Sequence, residues 1–286
     1  MSEPAAAGHS RVRRGRRVRI SPPPASVLVL LAIVGMCLLV PLLSRQDPTG
    51  LDPANAFGTM SARHWLGTDE LGRDKLSRLL YGGELSLSVA GGSVAVAFLA
   101  GTLWGVLASG ARGLPDELLM RGADITMAIP QILFALVCVA AFGASLVSLI
   151  VLTGLLLAPS TARMARAAIV REMTLDYYAA AVAYGASRGR LLLREVLPNI
   201  LPDLASQAAI NAASAMILEA SLSFVGLGVQ PPQMSWGVLL QQGYGFLYND
   251  PSYAAAPAIL ILATVLCLNL AADRLAGAER LTGGRR

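Results

Sequence analysis

Charged residues are absent from long stretches of this chain and crowded between them. No Asp, Glu, Lys, Arg or His occurs over 20–44, 85–111, 125–162 or 251–272, and a further apolar stretch, about 204–224, holds one glutamate. A helix crossing the ~30 Å hydrocarbon core of a bilayer needs roughly 20 residues. Three runs fit one helix each, 125–162 fits two joined near Phe142-Gly143-Ala144-Ser145, and the glutamate-bearing stretch adds another. The pattern predicts an all-α polytopic membrane protein with six transmembrane helices. The first lies over 26–44 and a core over 85–275, with loops at 45–84, 163–200 and 226–252.

Composition supports this class: 55% of residues are hydrophobic and 14% charged, with a mean hydropathy of +0.58, outside the range of soluble globular domains. Basic residues then orient the spans. With the N-terminus inside, the inner segments hold 18 Lys and Arg and the outer ones five, all between Arg45 and Arg78. The positive-inside rule therefore places the arm 1–25 and the tail 276–286 in the cytoplasm. A signal peptide is the weaker reading of RVRRGRRVRI and the run after it, which exceeds 20 residues and lacks a small-residue cleavage site before Pro41. The arm reads as an orientation determinant resting on anionic lipid, not as a nucleic-acid binder. Cys37, Cys138 and Cys267 sit in apolar runs at no metal-ligand spacing and read as lipid-facing or packing residues. The ratio of 22 arginines to one lysine suggests a GC-rich bacterial genome.

Catalytic chemistry is scarce. His9 and His64 are far apart, and the single lysine, Lys75, follows Asp74, so no Gly-Lys of a phosphate-binding P-loop exists. The chain is expected not to be an enzyme, and any ATP energy must come from a partner. A proton- or sodium-coupled carrier would need ionisable groups inside its spans. Glu219 is the one candidate, and ~1.5 Å per residue from Asp203 puts it about 24 Å along its helix. That position predicts a carboxylate at the outer boundary, reaching water, and disfavours a stand-alone secondary transporter or channel.

Within the spans, Ala97, Gly101, Gly105 and Ser109 form a small-residue stripe suited to close helix packing, and Pro130 predicts a kink. On the fifth span Gln207, Asn211, Ser214 and Ser221 share one face. Such a stripe either bonds to neighbouring helices or lines a wet passage. The passage is preferred, because uncharged polar groups suit a substrate of peptide-like polarity. Outside the spans, GLGVQPPQMSWG (226–237) predicts an ordered, turn-rich loop with Trp236 at the interface. Residues Lys75 to Leu80 predict a capped interfacial helix leading into the second span, with Asp69, Arg73 and Asp74 forming local ion pairs.

The loop 163–198 is not a solvated linker. Asp176 followed by YYAAAVAYGAS predicts a short helix with an acidic start and Gly185 at its C-terminal cap. RGRLLLREVLPN then predicts an amphipathic helix that stops before Pro198 and leads into the fifth span. At about 12 residues the first helix is too short to span and marginal alone, so it must pack on something.

Here the sequence resembles the EAA loop of ABC-importer permeases: Ala180, Ala181, Gly185, Leu197 and Pro198 match, while Ala179 stands at the glutamate position. The resemblance extends to GTDELGRD (67–74), LMRGADITMAIPQILFAL (119–136), LEASLSFVGLGVQPPQMSWG (218–237) and LNLAADRL (268–275). Together these resemble the second permease subunit of dipeptide, oligopeptide and nickel importers, with the type I importer fold. The resemblance implies a homologous permease partner, one or two cytoplasmic ABC ATPases holding ATP and Mg, and an extracytoplasmic substrate-binding protein, with no cofactor or metal in this chain. It implies a bacterial inner-membrane location and peptides as substrate, with nickel chelates or haem behind. Carried onto this chain, the ATPase-coupling segment comprises Asp176, Tyr177, Tyr178, Ala179, Ala180, Ala181, Tyr184, Gly185, Ala186 and Ser187. Arg188 and Arg190 are available to acidic groups of the ATPase, and Pro198 ends the motif. The stripe Gln207, Asn211, Ser214 and Ser221 would face the path, and Gln230, Gln233 and Trp236 are candidate contacts of the binding protein.

Overall fold

The computed structural model describes residues 25–43, 47–111 and 113–283. Nearly all of the arm 1–25, together with Arg45 and Arg112, lies outside them. The described residues form α1 (Ala25–Leu43), α2 (Lys75–Gly110), α3 (Leu114–Ala128), α4 (Gln131–Phe142), α5 (Leu146–Glu172) and α6 (Asp176–Ala183). There follow α7 (Arg188–Leu191), a π-helical turn (Leu192–Val196), α8 (Leu197–Phe224), α9 (Trp236–Gly245) and α10 (Pro251–Gly283). The six expected passes fall on α1, α2, α3 with α4, α5, α8 and α10. By length and hydropathy α2, α5 and α10 each qualify to cross a bilayer, and α3 with α4 makes a fourth. In α8 the residues Gln207, Asn211 and Glu219 dilute the apolar character, and the apolar stretch of α1 is the shorter Ala25–Leu39.

Several boundaries differ from the sequence expectation. Residues 75–80 are no separate interfacial helix: they begin α2, which runs unbroken for 36 residues. Asp74 caps it, accepting from the Ser77 N–H at 2.7 Å. The third pass starts earlier than its charge-free run, at Leu114, and is broken rather than kinked. Between α3 and α4 the axis turns by 88° at Ile129 and Pro130, whose extended backbone and missing N–H end one helix and start the next. The fourth pass, α5, continues ten residues past Ala162 to Glu172. The tail expected from 276 is helical to Gly283.

The small-residue stripe does what its spacing predicts. A methyl group at Gly101 would lie 2.5 Å from the Ala158 carbonyl oxygen and from Thr161 Cβ, and one at Gly105 2.7 Å from the Ala162 oxygen and Ala165 Cβ. Thus α2 and α5 meet backbone to backbone along this seam. The opposite face of α2 carries Leu99, Leu103 and Leu107, all exposed. A second core gathers Ile33, Cys37, Leu79, Met216, Leu239 and Trp236 from α1, α2, α8 and α9. Of the cysteines, Cys37 and Cys267 are buried and Cys138 half-buried.

The segment 47–74 is ordered by its own polar bonds. Asp69 is fully buried, pairs with Arg73 at 2.7 Å and with Arg78, and accepts the backbone N–H groups of Leu71 and Arg73. Asp74 also meets His64 at 3.0 Å. Lys75 bonds Asp250 at 2.5 Å, tying the start of α2 to the start of α10. Burial pushes the Asp250 carboxyl up, but Lys75 and Ser252 outweigh it and hold the group below the usual carboxylate range.

Overpacking a tight core costs about 1–3 kcal/mol. Gly101→Ala should therefore lower the thermal midpoint of the detergent-purified protein by several degrees. Gly91→Ala, where a methyl group meets nothing within 4 Å, should leave the midpoint unchanged or raise it, since alanine favours a helix by about 1 kcal/mol over glycine.

Candidate functional site

The short loop helix is α6, and its end is built by backbone geometry. Gly185 adopts φ +82°, a left-handed conformation that residues with a Cβ avoid. Its N–H bonds the Val182 carbonyl at 3.0 Å and the Ala186 N–H bonds the Ala181 carbonyl at 3.1 Å, the two bonds of a Schellman cap. Asp176 sits in the first turn, where a carboxylate complements the helix dipole. The helix is eight residues, Asp176–Ala183, with Tyr184 as its cap, so the expected helix ends four residues earlier than Ser187. No residue of α6 is buried. Ala179, Ala180 and Gly185 are exposed, Ala181 and Ala186 half-buried, and Tyr184 is 92% exposed.

What holds this helix is a pair of adjacent tyrosines. Tyr178 packs beside Ile169, Val196, Ile200 and Leu204, the core shared by α5 and α8. Tyr177 donates its hydroxyl to Glu172 Oε2 at 2.7 Å. Asn199 donates to the same oxygen at 3.3 Å and lies 3.4 Å from the tyrosine oxygen. Burial first, then the Glu172 carboxylate, raise the Tyr177 phenol above its ordinary range, so it is a proton donor at neutral pH. Arg171 bonds Asp203 next to this group.

After Ser187 the chain does not stop before Pro198. α7, the π turn and α8 form one continuous helical path, with Pro198 in the first turn of α8. In regular α geometry the proline ring would crowd the Arg194 carbonyl. Widening the turn, with the Leu197 N–H bonded to the Leu192 carbonyl, relieves that clash, which the sequence reading missed. Arg188, Arg190 and Arg194 are exposed, and Arg190, Leu193 and Arg194 line one shallow, open depression.

The polar stripe of α8 divides. Asn211 is 2% exposed; its Nδ2 donates to Thr161 Oγ1 at 2.8 Å, and its Oδ1 accepts from Gln207 at 3.0 Å and from Ser160 at 3.2 Å. The inner half of the stripe thus bonds α8 to α5, and the buried Asn211 packs there and does not face a passage, which corrects the preferred reading for it, while Gln207 is half-buried. Ser214 and Ser221 are half-buried, and Ser221 bonds back to the Ile217 carbonyl.

At the opposite end, two expectations are overturned. Glu219 is 1% exposed and does not reach water. Ser86 of α2 donates to it at 3.0 Å and Ser223 at 2.7 Å. Ser86 accepts the Trp236 N–H, and Ser235, beside Ser223, accepts the Val238 N–H. The carboxyl group thus faces the N-terminus of α9 through serine hydroxyls that accept its first N–H groups. Trp236 is fully buried, its indole N–H on the Leu79 carbonyl at 2.8 Å. It is a core residue and not an interfacial anchor or a contact of a binding protein. Gln230 and Gln233 are exposed. The region expected as loop 226–252 contains α9, signalled by Ser235, whose hydroxyl caps it.

Leaving a buried hydrogen-bond donor without its acceptor costs about 1–3 kcal/mol. Glu219→Ala should lower the thermal midpoint and speed hydrogen exchange over 236–243, with Glu219→Gln intermediate. Interhelical bonds in membranes average only about 0.6 kcal/mol, so Asn211→Leu should cost stability by a smaller step, read in the same melt.

Known proteins match this chain. Residues 97–279 match the family described as "Binding-protein-dependent transport system inner membrane component". The di/tripeptide transport system permease protein DppC of Pseudomonas aeruginosa is 36% identical over 255 residues, covering 87% of this chain and 84% of the relative. The probable D,D-dipeptide transport system permease protein DdpC of Escherichia coli is 35% identical, covering 87% and 83%. The glutathione transport system permease protein GsiD of Pectobacterium atrosepticum is 36% identical, covering 75% and 71%. In fold, the chain is similar to an inward-facing structure of the MetNI methionine ABC transporter. The TM-score is 0.59 at 22% identity, over 70% of this chain and 95% of that one.

Proposed function

The chain belongs to the family of binding-protein-dependent transport system inner membrane components, and from that premise we propose that it forms half of the path of a peptide-importing ABC transporter. It pairs with a homologous permease, receives substrate from an extracytoplasmic binding protein, and is driven by one or two cytoplasmic ATPases that bind ATP and Mg. Di- and oligopeptides are the proposed cargo, since relatives aligned over most of the chain carry di/tripeptide and D,D-dipeptide in their names.

The observation that carries this reading is α6. It is an alanine-rich, capped helix with no buried residue, too short to be stable alone. Such a helix is suited to a partner's cleft, with Tyr184 projecting and Arg188 and Arg190 flanking it. α1 begins and α10 ends toward the same end of the bundle as α6, because Cys37 packs at Gly83, near the opposite end of α2, and Ser206 of α8 bonds the Ala272 carbonyl. Together with the excess of arginine on that end, this supports a cytoplasmic placement of both termini and of α6.

An affinity pull-down in mild detergent, read by mass spectrometry, tests it. The wild-type chain should recover a P-loop ATPase and a second six-span permease. Gly185→Arg should lose the ATPase alone, because a Cβ at φ +82° disturbs the cap and a bulky cation obstructs the docking face. Recovery of the wild-type chain without either partner would overturn the reading.

A further inference from the structure

Among the described residues, the side-chain polar attachment of the loop helix α6 converges on a single carboxylate. Glu172 is the last residue of α5 and is 8% exposed. Tyr177, in the first turn of α6, and Asn199, in the first turn of α8, both donate to its Oε2. One oxygen therefore joins the end of α5, the start of α6 and the start of α8. Immediately beyond it Arg171 of α5 bonds Asp203 of α8, and two turns further Thr161 and Ser160 bond Asn211. The α5 and α8 helices are thus bonded along their shared length. The hydrophobic support from Tyr178 falls on the same two helices.

We propose that the Glu172, Tyr177 and Asn199 group is the mechanical link that delivers movement of α6 to α5 and α8 as one body. These are positioning residues: none lies on the exposed face of α6 offered for docking, and their part is to make the helix rigid with respect to the two spans. A partner that displaces α6 moves α5 and α8 only if that link resists. Without it α6 is tethered by the chain at 173–175 and 184–187 and by one tyrosine ring. The geometry also separates docking from transmission, since Tyr184, Arg188 and Arg190 are exposed while the Tyr177 hydroxyl points back to Glu172.

This inference rests on α6 being the ATPase-docking helix, and the test keeps the two apart. The whole complex, with both permeases and the ATPase, is placed in lipid nanodiscs. ATP hydrolysis is measured with and without its purified binding protein, and ATPase retention is scored in parallel. Asn199→Asp sets a second carboxylate against Glu172 and should retain the ATPase while cutting stimulation by the binding protein at least threefold. Combining Asn199→Asp with Glu172→Gln exchanges donor and acceptor and should restore the stimulation, which a loss of folding would not permit. Tyr177→Phe should behave as Asn199→Asp does. Unchanged stimulation in both single variants would overturn the link, as would loss of the ATPase from Asn199→Asp or failure of the double variant to recover. Absence of ATPase from the wild-type complex would instead overturn the docking role itself.

Discussion

Lipid tails offer no hydrogen-bond partner, so a polar group at bilayer depth must find one inside the protein. Much of this structure follows from that constraint. Apolar burial gains little between helices already in hydrocarbon, which leaves close packing and interhelical hydrogen bonds to set which helices touch. Both converge on α5. Its Ala158, Thr161, Ala162 and Ala165 receive the glycine seam of α2. Its Ser160 and Thr161 take the amides of α8. Arg166 forms two bonds, at 2.6 and 2.5 Å, with Asp116 of α3, and Glu172 holds Tyr177.

The same constraint explains Glu219. A carboxylate inside the protein and away from any lysine or arginine would be costly in ionised form. Here Ser86 and Ser223 donate to it; Ser86 also accepts the Trp236 N–H, and Ser235, which donates to Ser223, accepts the Val238 N–H. The consequence is structural: α9 is locked against α2 and α8 at the end of the bundle opposite α6. One end of the molecule is thereby ordered by Glu219 and by the buried pairs around Asp69. The other end leaves α6 standing free on two tyrosines.

Which of these features could be seen in the sequence follows from their range. Span positions were legible because twenty apolar residues in a row have few other uses. Gly101 and Gly105 were legible because four-residue spacing fixes a helix face, and Gly185 because a capping glycine acts on its own neighbours. Glu219 and Trp236 are misread from the sequence because their partners Ser86 and the Leu79 carbonyl lie 133 and 157 positions away, and nothing local distinguishes a buried glutamate from one at an interface. Asn211 was assigned to a passage for the same reason: periodicity places it on a face but does not say what that face meets. The break at Pro130 was seen as a kink because proline spacing gives the location of a bend and not its size.

The bonds of this helix bundle distribute stiff pieces and compliant joints unequally. α5 and α8 share polar bonds from Glu172 and Asn199 down to Thr161 and Asn211, so relative sliding would break several polar bonds and leave the buried Asn211 unpaired. α3 is held to α5 along most of its length by Asp116 and Asp124, bonded to Arg166 and Arg163. α4, by contrast, contributes Ala135 and Val139 to an apolar cluster with Leu149 and Leu222, a contact that can shift without stranding a donor. The 88° turn between α3 and α4 therefore lies where a bonded unit meets an unbonded one. Rearrangement costs least at that joint and most between α5 and α8.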